Sequence, residues 1–152
     1  MINIEQIVFE KAKKSDVEEI YNLEQVCFEA DAFSKKQFKY LITKANSDFI
    51  VIRDKFKIIA YLIILKRRNS KYYRIYSIAI APNARGFGLA KKLLGYTEEI
   101  TIKDKARGIK LEVSEKNEAA INLYLSHKFQ PVGKKDNYYA DGSSAILMRK
   151  EI

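Results

Sequence analysis

The apolar positions at the start of the chain change from a two-residue period to a helical period. Apolar and polar residues alternate from Ile7 to Ala12, which predicts a first β-strand. Ser15 or Asp16 can cap a following helix, because a short polar side chain accepts a hydrogen bond from the free N–H groups of a first turn. The apolar residues that mark this helix by their spacing are Val17, Ile20, Leu23 and Cys27.

A second helix and a hairpin are predicted next. A break near Glu29 to Phe33 precedes Ser34, which is a second candidate N-cap. The helix that it would begin carries Phe38, Leu41 and Ile42. Two apolar runs, Phe49 to Arg53 and Ile58 to Lys66, are separated by the polar turn Asp54-Lys55 and predict a β-hairpin.

The second half of the chain mixes strands and helices. It predicts strands at Tyr72 to Ala81, Ile109 to Ser114, Phe129 to Lys134, Asn137 to Ala140 and Ser144 to Arg149. Helices are expected from the glycines after Pro82 up to Gly108, and at Asn117 to Ser126. Asp141-Gly142 is typical of a tight turn between the last two strands. This order indicates an α/β (α+β) fold, with a central mixed sheet flanked by helices, rather than a doubly wound parallel sheet.

Length and composition are those of one soluble domain. At 152 residues, with 47% hydrophobic and 31% charged residues, the chain can bury a single core. The longest apolar stretch, Ile58 to Leu65, is too short to span a bilayer, and the N-terminal residues include acids where a signal peptide needs an apolar segment. We therefore expect a cytoplasmic protein.

Cysteine and histidine are too scarce for two kinds of site. Cys27 and His127 are the only residues of their types, so an internal disulfide and a cysteine/histidine zinc site are both excluded. We expect no metal. Cys27 lies among apolar neighbours on the first predicted helix, and buried packing is its expected role.

The formal net charge of +9 is spread along the chain as short basic clusters. Charge distributed in this way usually solvates surfaces, but it also favours anionic ligands or a ribosomal surface. No RRM, helix-turn-helix or zinc-finger pattern is present. A basic nucleic-acid-binding or ribosome-binding module remains one alternative.

The stretch from Ile75 to Leu94 is the most informative of the chain, because a predicted strand passes through Arg85-Gly86-Phe87-Gly88 directly into a helix. Free N–H groups and the dipole at a helix start favour an anion, and the glycines would let the backbone approach a phosphate. The P-loop spacing is absent, and Lys91 stands where a dinucleotide fingerprint needs its third glycine. An ordinary strand-to-helix loop is the alternative interpretation.

Arg85, Gly88 and Ala90 form the pattern R-x-x-G-x-A, which resembles the acetyl-CoA pyrophosphate loop of GNAT acetyltransferases. Ile109 to Phe129 resembles the second GNAT signature, LEV followed by N, A, A and LY, although Lys128 replaces the usual glycine before Phe129. The most similar subgroup is that of the RimI-type and archaeal N-terminal acetyltransferases, which share features from Cys27-Phe28 to Met148. The resemblance implies one GNAT domain over residues 1–152 with acetyl-CoA as co-substrate.

The resemblance also implies which residues contact coenzyme A. The backbone of one strand would pair with the pantetheine arm, the glycine loop would hold the pyrophosphate, and Asn117 would bond the arm. These residues are Ile78, Ala79, Ile80, Arg85, Gly86, Phe87, Gly88, Leu89, Ala90, Asn117 and Tyr124. Asn117 also stands where an ordinary helix N-cap is expected.

Glu112 and Tyr124 are the candidate catalytic residues. Alternation places Glu112 on the strand face opposite Leu111 and Val113, where a carboxylate could take a proton from an ammonium, directly or through water. The resemblance assigns it the general-base role and assigns Tyr124 the protonation of the leaving thiolate. A solvent-facing or lysine-paired glutamate and a core tyrosine are the structural alternatives.

The acceptor substrate is the part of the reaction that the sequence constrains least. The resemblance places acceptor-binding loops at Phe33, Tyr138 and Tyr139, although Phe33 stands where a tryptophan is common and Ser143-Ser144 replace an acidic pair. An α-amine with a pKa of about 7.8 is roughly 14% neutral at pH 7, against about 0.04% for a lysine. We therefore expect direct acetyl transfer to a protein N-terminus, of a ribosomal protein or nascent chain. A small amine or lysine acceptor is the second alternative.

Overall fold

The computed structural model describes residues 2–28 and 31–152. Its strands are β1 (Ile7–Lys11), β2 (Ser47–Asp54), β3 (Lys57–Leu65), β4 (Tyr72–Ile80), β5 (Gly108–Ser114), β6 (Gln130–Lys135) and β7 (Ala145–Glu151). Its α-helices are α1 (Val17–Phe28), α2 (Lys35–Thr43), α3 (Leu89–Lys103) and α4 (Glu118–Ser126). Short 3₁₀ turns occupy Ile4–Gln6, Lys14–Asp16 and Pro82–Ala84.

The seven strands form one mixed sheet in the order β1-β2-β3-β4-β5-β7-β6. All neighbouring strands are antiparallel except β4 and β5, which run parallel. The interior strand β3, between β2 and β4, is almost wholly buried, as its nearly continuous apolar sequence requires. This arrangement confirms the expected mixed, mostly antiparallel sheet with flanking helices.

The predicted starts of the first two helices are close to the observed ones. Asp16 accepts a hydrogen bond from the Lys13 N–H in the 3₁₀ turn that leads into α1. Ser34 caps α2 by accepting from the Gln37 N–H at 3.1 Å, and the Gln37 side chain accepts from the Ser34 N–H at 2.8 Å. Of the predicted break at Glu29 to Phe33, residues 29 and 30 lie outside the described residues.

Helix α3 ends earlier than predicted. It stops at Lys103, and Lys105 adopts a left-handed conformation with φ 57°, so Gly108 does not terminate the helix but begins β5. A Cβ on Gly108 would lie 2.2 Å from the Lys150 carbonyl oxygen. The glycine is required by the close approach of β7.

The predicted strand at Asn137 to Ala140 is wrong. A turn does form at Asp141-Gly142, where the Gly142 N–H donates to the Tyr139 carbonyl at 2.9 Å and Gly142 has φ 84°, but it lies within a loop and does not join two paired strands. Residues 136–144 form one loop between β6 and β7. Asn137 has φ 51°, and the N–H groups of Tyr138 and Tyr139 both donate to the Ser143 carbonyl at 3.1 Å. The loop satisfies these backbone groups internally, so they do not form a strand ladder.

Strand β4 contains a β-bulge and pairs with β5 over only part of its length. The β3–β4 register shifts between the pairs Ile63–Ser77 and Ile64–Ile75, so Tyr76 is the extra residue of a β-bulge. In addition, β4 pairs with β5 only from Tyr72 to Ile75, whereas β5 continues along β7 to Ser114. The two parallel strands therefore separate beyond Ile75, and a gap opens between the end of β4 and the end of β5.

Candidate active site

The glycine loop holds its backbone in a conformation that glycine favours. Gly86 and Gly88 have φ values of 87° and 76°, and Gly88 is the N-cap of α3. A Cβ at either position would meet nothing within 4 Å. The two glycines are therefore explained by left-handed backbone rather than by a close neighbour.

The same loop leaves donors free at the start of a fifteen-residue helix. Among the described residues, no group accepts a hydrogen bond from the N–H of Gly86, Phe87 or Gly88. Leu89 is buried beneath the loop, and Phe87 and Ala90 are half-buried. Free N–H groups together with the helix dipole suit a phosphate, so this segment fits the pyrophosphate of a coenzyme.

The end of β4 offers backbone groups to the gap beside it. The Ala81 N–H donates to the Ile59 carbonyl of β3 at 2.8 Å, and neighbouring residues of a strand point their backbone groups to opposite sides. The groups of Ile78 and Ile80 therefore point toward the gap, while those of Ala79 point to β3. An extended ligand arm could pair with Ile78 and Ile80 as a short additional strand.

Arg85 does not extend away from this gap. Its Nε donates to the Ile80 carbonyl at 3.2 Å, and its Nη2 lies 4.0 Å from Cys27 Sγ. Ile80 O also lies 3.6 Å from Cys27 Sγ. Of the backbone groups at the gap, the Ile80 carbonyl thus already has partners.

A cleft of about 580 Å³ lies between the diverging strands, and we call it the main cleft. Glu112 and Tyr124 both line it, from β5 and α4 respectively. The other predicted site residues on its wall are Phe33, Ile78, Asn117, Tyr138 and Tyr139. The structure thus brings the candidate catalytic and acceptor residues together, whereas the glycine loop lies outside this wall.

Glu112 is held by an arginine of the neighbouring strand. Arg74 Nε lies 3.0 Å from Oε2, and Arg74 Nη2 lies 2.9 Å from Oε1. Lys135 Nζ lies 3.7 Å from Oε1. A carboxylate can accept about four hydrogen bonds, so the bidentate pair with Arg74 leaves acceptor sites on Glu112 for a ligand or water.

Tyr124 is buried, and its ring meets Phe129 edge to face with centroids 5.6 Å apart. Burial raises the pKa of Tyr124 to about 12. Its phenol makes no hydrogen bond to the described residues. The hydroxyl is therefore protonated at neutral pH and has donor capacity toward the main cleft.

Asn117 is the N-cap of α4, as expected. Its Oδ1 accepts a hydrogen bond from the Ala120 N–H at 3.1 Å. The side-chain NH₂ group is not used by the cap and lies on the wall of the main cleft, so a contact to a ligand remains chemically open.

Three planar groups form a stack on one side of the main cleft. The Phe33 ring is parallel to the Tyr76 ring, with centroids 5.1 Å apart and an interplanar angle of 5°. The Arg74 guanidinium lies 5.1 Å from the centroid of Tyr76. The bulged Tyr76 therefore connects Phe33 to the arginine that orients Glu112.

The loop after β6 adds two further aromatic residues to the wall of the main cleft. Tyr138 and Tyr139 meet edge to face at 4.9 Å, and burial, reinforced by Tyr138 and Glu112, raises the pKa of Tyr139 to about 12. The Ala140 N–H donates to Asp31 Oδ1 at 2.9 Å. This bond joins the two loops that carry the candidate acceptor residues.

Glu24 is a buried carboxyl on the wall of the main cleft that no sequence motif indicates. It accepts hydrogen bonds from the Tyr61 hydroxyl and, at 2.9 Å, from the Phe33 N–H. Burial raises the pKa of Glu24, and both hydrogen bonds oppose that shift. The packing of α1 against β3 places Glu24 between Tyr61 and the Phe33 loop, and through these hydrogen bonds it anchors that loop.

Cys27 packs against the core, as expected, but it is not fully buried. It is half-buried and lines the main cleft. Burial raises the pKa of its thiol, while Arg85 opposes the shift. The prediction came from apolar neighbours on the helix, and the gap beside β4 exposes one side of the residue.

The described part of the chain holds neither a metal-binding cluster nor a helix that could span a membrane. No group of three or more histidine, cysteine, aspartate or glutamate side chains there could hold a metal ion. No helix among residues 2–28 and 31–152 is long and apolar enough to cross a membrane.

Comparison with known proteins identifies the family of this chain. The family model described as Acetyltransferase (GNAT) family matches residues 17–129. This match covers most of the chain and includes both the glycine loop and α4. The chain belongs to the GNAT acetyltransferase family, and it is an acyltransferase by that membership.

Individual relatives lie at low identity. An uncharacterized protein of Mycobacterium leprae is 30% identical over 151 residues, which is 97% of this chain and 41% of that protein. The chain thus spans less than half the length of this relative. The N-alpha-acetyltransferase daf-31 of Caenorhabditis elegans is 26% identical over 93% of this chain and 80% of its own length.

A solved structure has the same fold over nearly the full length. The crystal structure of the ribosomal-protein-S18-alanine N-acetyltransferase from Escherichia coli superposes with a TM-score of 0.86 and 26% identity. The match covers 96% of this chain and 94% of that one. One relative named as an N-alpha-acetyltransferase and one named as a ribosomal-protein-S18-alanine N-acetyltransferase are thus both similar to this protein.

Proposed function

We propose that this protein transfers the acetyl group of acetyl-CoA directly to the N-terminal α-amine of a protein, such as a ribosomal protein or a nascent chain. The observation that carries the proposal is that Glu112 and Tyr124 line one cleft together with Phe33, Tyr138 and Tyr139. Such an acceptor would place the reaction in the cytoplasm. The two relatives with named activities support an amino-terminal acceptor.

Acetyl-CoA would enter along the gap between β4 and β5. The free N–H groups from Gly86 to Gly88 would hold the pyrophosphate at the start of α3, with Phe87, Leu89 and Ala90 shaping the loop around it. The backbone of Ile78 and Ile80 and the amide of Asn117 would bond the pantetheine arm. Acetyl-CoA supplies the activated acetyl thioester.

Glu112 would act as the general base on the acceptor. A protonated α-amine must lose a proton before its lone pair can attack the thioester carbonyl carbon. Glu112 has acceptor sites beyond those used by Arg74, so it can take this proton directly or through a water. An α-amine needs the least help, because about 14% of it is already neutral at pH 7.

Tyr124 would act as the proton donor to the leaving group. When the carbon–sulfur bond breaks, the coenzyme A thiolate accepts a proton from the Tyr124 hydroxyl, which is held protonated by burial. The tyrosinate formed would then recover a proton from solvent or from the proton released by the amine. No covalent enzyme intermediate is required.

The main cleft would receive the end of an extended chain. Phe33, Tyr138 and Tyr139 all line it, and the Asp31–Ala140 hydrogen bond joins the loops that carry them. Aromatic side chains of this kind would hold the first side chains of a peptide by packing.

An acceptor panel tests the proposal. Purified protein is incubated with acetyl-CoA and with peptides that have a free α-amine, the same peptides with a blocked N-terminus and one lysine, and small polyamines, and products are identified by mass spectrometry. We expect acetylation of the free α-amine. Turnover of polyamines or blocked peptides alone would overturn the proposal, as would salt-dependent RNA binding without any acetylation.

A further inference from the structure

A second cleft, of about 320 Å³, adjoins the main cleft, and we call it the basic cleft. The two clefts share Arg74, Leu111 and Glu112. The basic cleft extends from there across β4, β5, β7 and β6, where Val132 and Leu147 add apolar surface. A chain whose first residue lies near Glu112 could therefore continue directly into the basic cleft.

Three cations lie side by side across the floor of the basic cleft. The parallel register pairs Arg74 with Lys110, and the antiparallel register pairs Lys110 with Arg149. All three residues line the cleft, so their side chains share one face of the sheet. Like charges directly opposite on neighbouring strands are destabilising, and this row therefore has a cost for the fold.

The protein itself compensates this charge only in part. Arg74 is paired with Glu112, and Arg149 Nε lies 3.4 Å from Glu151 Oε1 in an exposed pair. Within the described residues, no carboxylate lies within ion-pair distance of Lys110 or Arg67. Five cationic side chains thus line the cleft against one carboxylate: Arg67, Arg74, Lys110, Lys135 and Arg149, with Glu112 opposing them.

We propose that the basic cleft binds acidic side chains of the acceptor polypeptide, in the residues that follow its N-terminus. Carboxylates there would meet Lys110 and Arg149, and the aliphatic stems of the same segment would pack on Val132 and Leu147. The proposal rests on the N-terminal acceptor proposed above. It makes the enzyme selective for proteins with an acidic segment shortly after the first residues.

The size and position of the cleft favour a peptide over RNA. Nucleic-acid binding gains its affinity from many phosphate contacts along an extended surface. The basic cleft is short, contains apolar surface on one side, and is continuous with the place where the acceptor amine would react. These features match a few residues of an extended polypeptide.

The test compares two peptides with identical first residues, one continuing with aspartate and glutamate and the other with asparagine and glutamine. The specificity constant kcat/KM and the affinity, from fluorescence anisotropy, are measured for the wild-type protein and for Lys110→Gln/Arg149→Gln. Lys39→Gln/Lys44→Gln on the α2 side removes the same charge away from the cleft and serves as the matched control. Thermal unfolding verifies that both variants fold.

We expect the wild-type protein to prefer the acidic peptide, and the cleft variant to lose roughly fivefold in kcat/KM for that peptide alone, the size expected for two part-exposed ion pairs. Salt should reduce the preference. Equal use of both peptides by the wild type would overturn this inference and leave the proposed function intact. Acetylation of neither peptide would overturn both the proposed function and this inference. If single-stranded RNA binds more tightly than the acidic peptide and the cleft variant loses that binding, the inference is overturned and the basic cleft is an RNA site.

Discussion

Arg74 and Glu112 form a bidentate ion pair across the parallel strands β4 and β5, with contacts of 2.9 and 3.0 Å. The pair lies just where the two strands separate, since their pairing ends at Ile75 and Leu111. Glu112 is therefore held in one orientation at the opening of the main cleft. Fixed geometry of this kind is what a general base requires, because proton transfer depends on hydrogen-bond reach.

Glu112→Gln should lower kcat by about a hundredfold, the loss typical of a missing general base. The amide keeps the shape of the side chain and can still accept one hydrogen bond from Arg74, so the protein should remain folded. The measurement is steady-state acetylation of an α-amine peptide over a range of pH.

Glu99→Gln, an exposed change on α3, is the control for Glu112→Gln and should retain wild-type rates. The rate of Glu112→Gln should recover partly at high pH, because solvent then deprotonates the acceptor amine and a general base is no longer needed. An unchanged kcat at neutral pH would assign Glu112 a purely structural role as the partner of Arg74.

Tyr124→Phe should reduce kcat by about a hundredfold while leaving stability nearly unchanged. The ring contact with Phe129 remains, and the lost hydroxyl has no hydrogen-bond partner among the described residues. Turnover and thermal unfolding are measured together. Tyr96→Phe on α3 is the matched tyrosine outside the main cleft, and equal activity of the two variants would refute the donor role.

Two glycines of the same region should respond to alanine in opposite ways. Gly88→Ala forces a Cβ into a left-handed conformation and should destabilise the fold by about 1 kcal/mol and raise the KM for acetyl-CoA. Gly95→Ala lies within α3 with open space around it and should stabilise the fold by about 0.5–1 kcal/mol without changing that KM. Chemical denaturation and acetyl-CoA titrations measure both effects, and an unchanged KM in Gly88→Ala would argue against a pyrophosphate at this loop.

Glu24 should make stability depend on pH. Burial raises its pKa in the folded state above the value in the unfolded chain, so the folded state binds the proton more tightly. Its contribution is fully present below the unfolded pKa of about 4.5 and is lost as the pH rises through the folded pKa. The stability of the wild type relative to Glu24→Gln should therefore fall over the pH interval that begins near 4.5 and ends above the raised folded pKa.

Urea denaturation of both proteins across that interval measures the Glu24 effect. Glu18→Gln, which removes an exposed carboxylate of the same helix, should show no comparable slope. A wild-type advantage that grows with pH would mean that the hydrogen bonds from Tyr61 and Phe33 outweigh burial.

Local patterns predicted much of the fold. Ser34 was recognised as an N-cap from its own position, and the hairpin of β2 and β3 followed from two apolar runs with a polar turn. The segment from Asn137 to Ala140 is predicted as a strand because it precedes the turn signal Asp141-Gly142, but in the structure it belongs to a loop. Its backbone hydrogen bonds go to Ser143 within the loop, which no local pattern reveals.

The sequence predicts the site residues that belong to short motifs. It does not predict those whose role depends on how distant strands and helices are placed side by side. Glu112 and Tyr124 were chosen from sequence, and the fold places both on the main cleft. Arg74 and Glu24 were missed, because their contacts join residues 38 and 37 positions apart in the chain. The row of Arg74, Lys110 and Arg149 likewise exists only once three strands are placed side by side.

One measurement tests the central claim most directly. A peptide with a free α-amine and a single internal lysine is incubated with the wild-type protein and acetyl-CoA, and the modified nitrogen is located by tandem mass spectrometry. We predict one acetyl group on the α-amine and none on the lysine, with the product lost in Glu112→Gln. Acetylation of the lysine alone, or equal product from wild type and Glu112→Gln, would contradict the account.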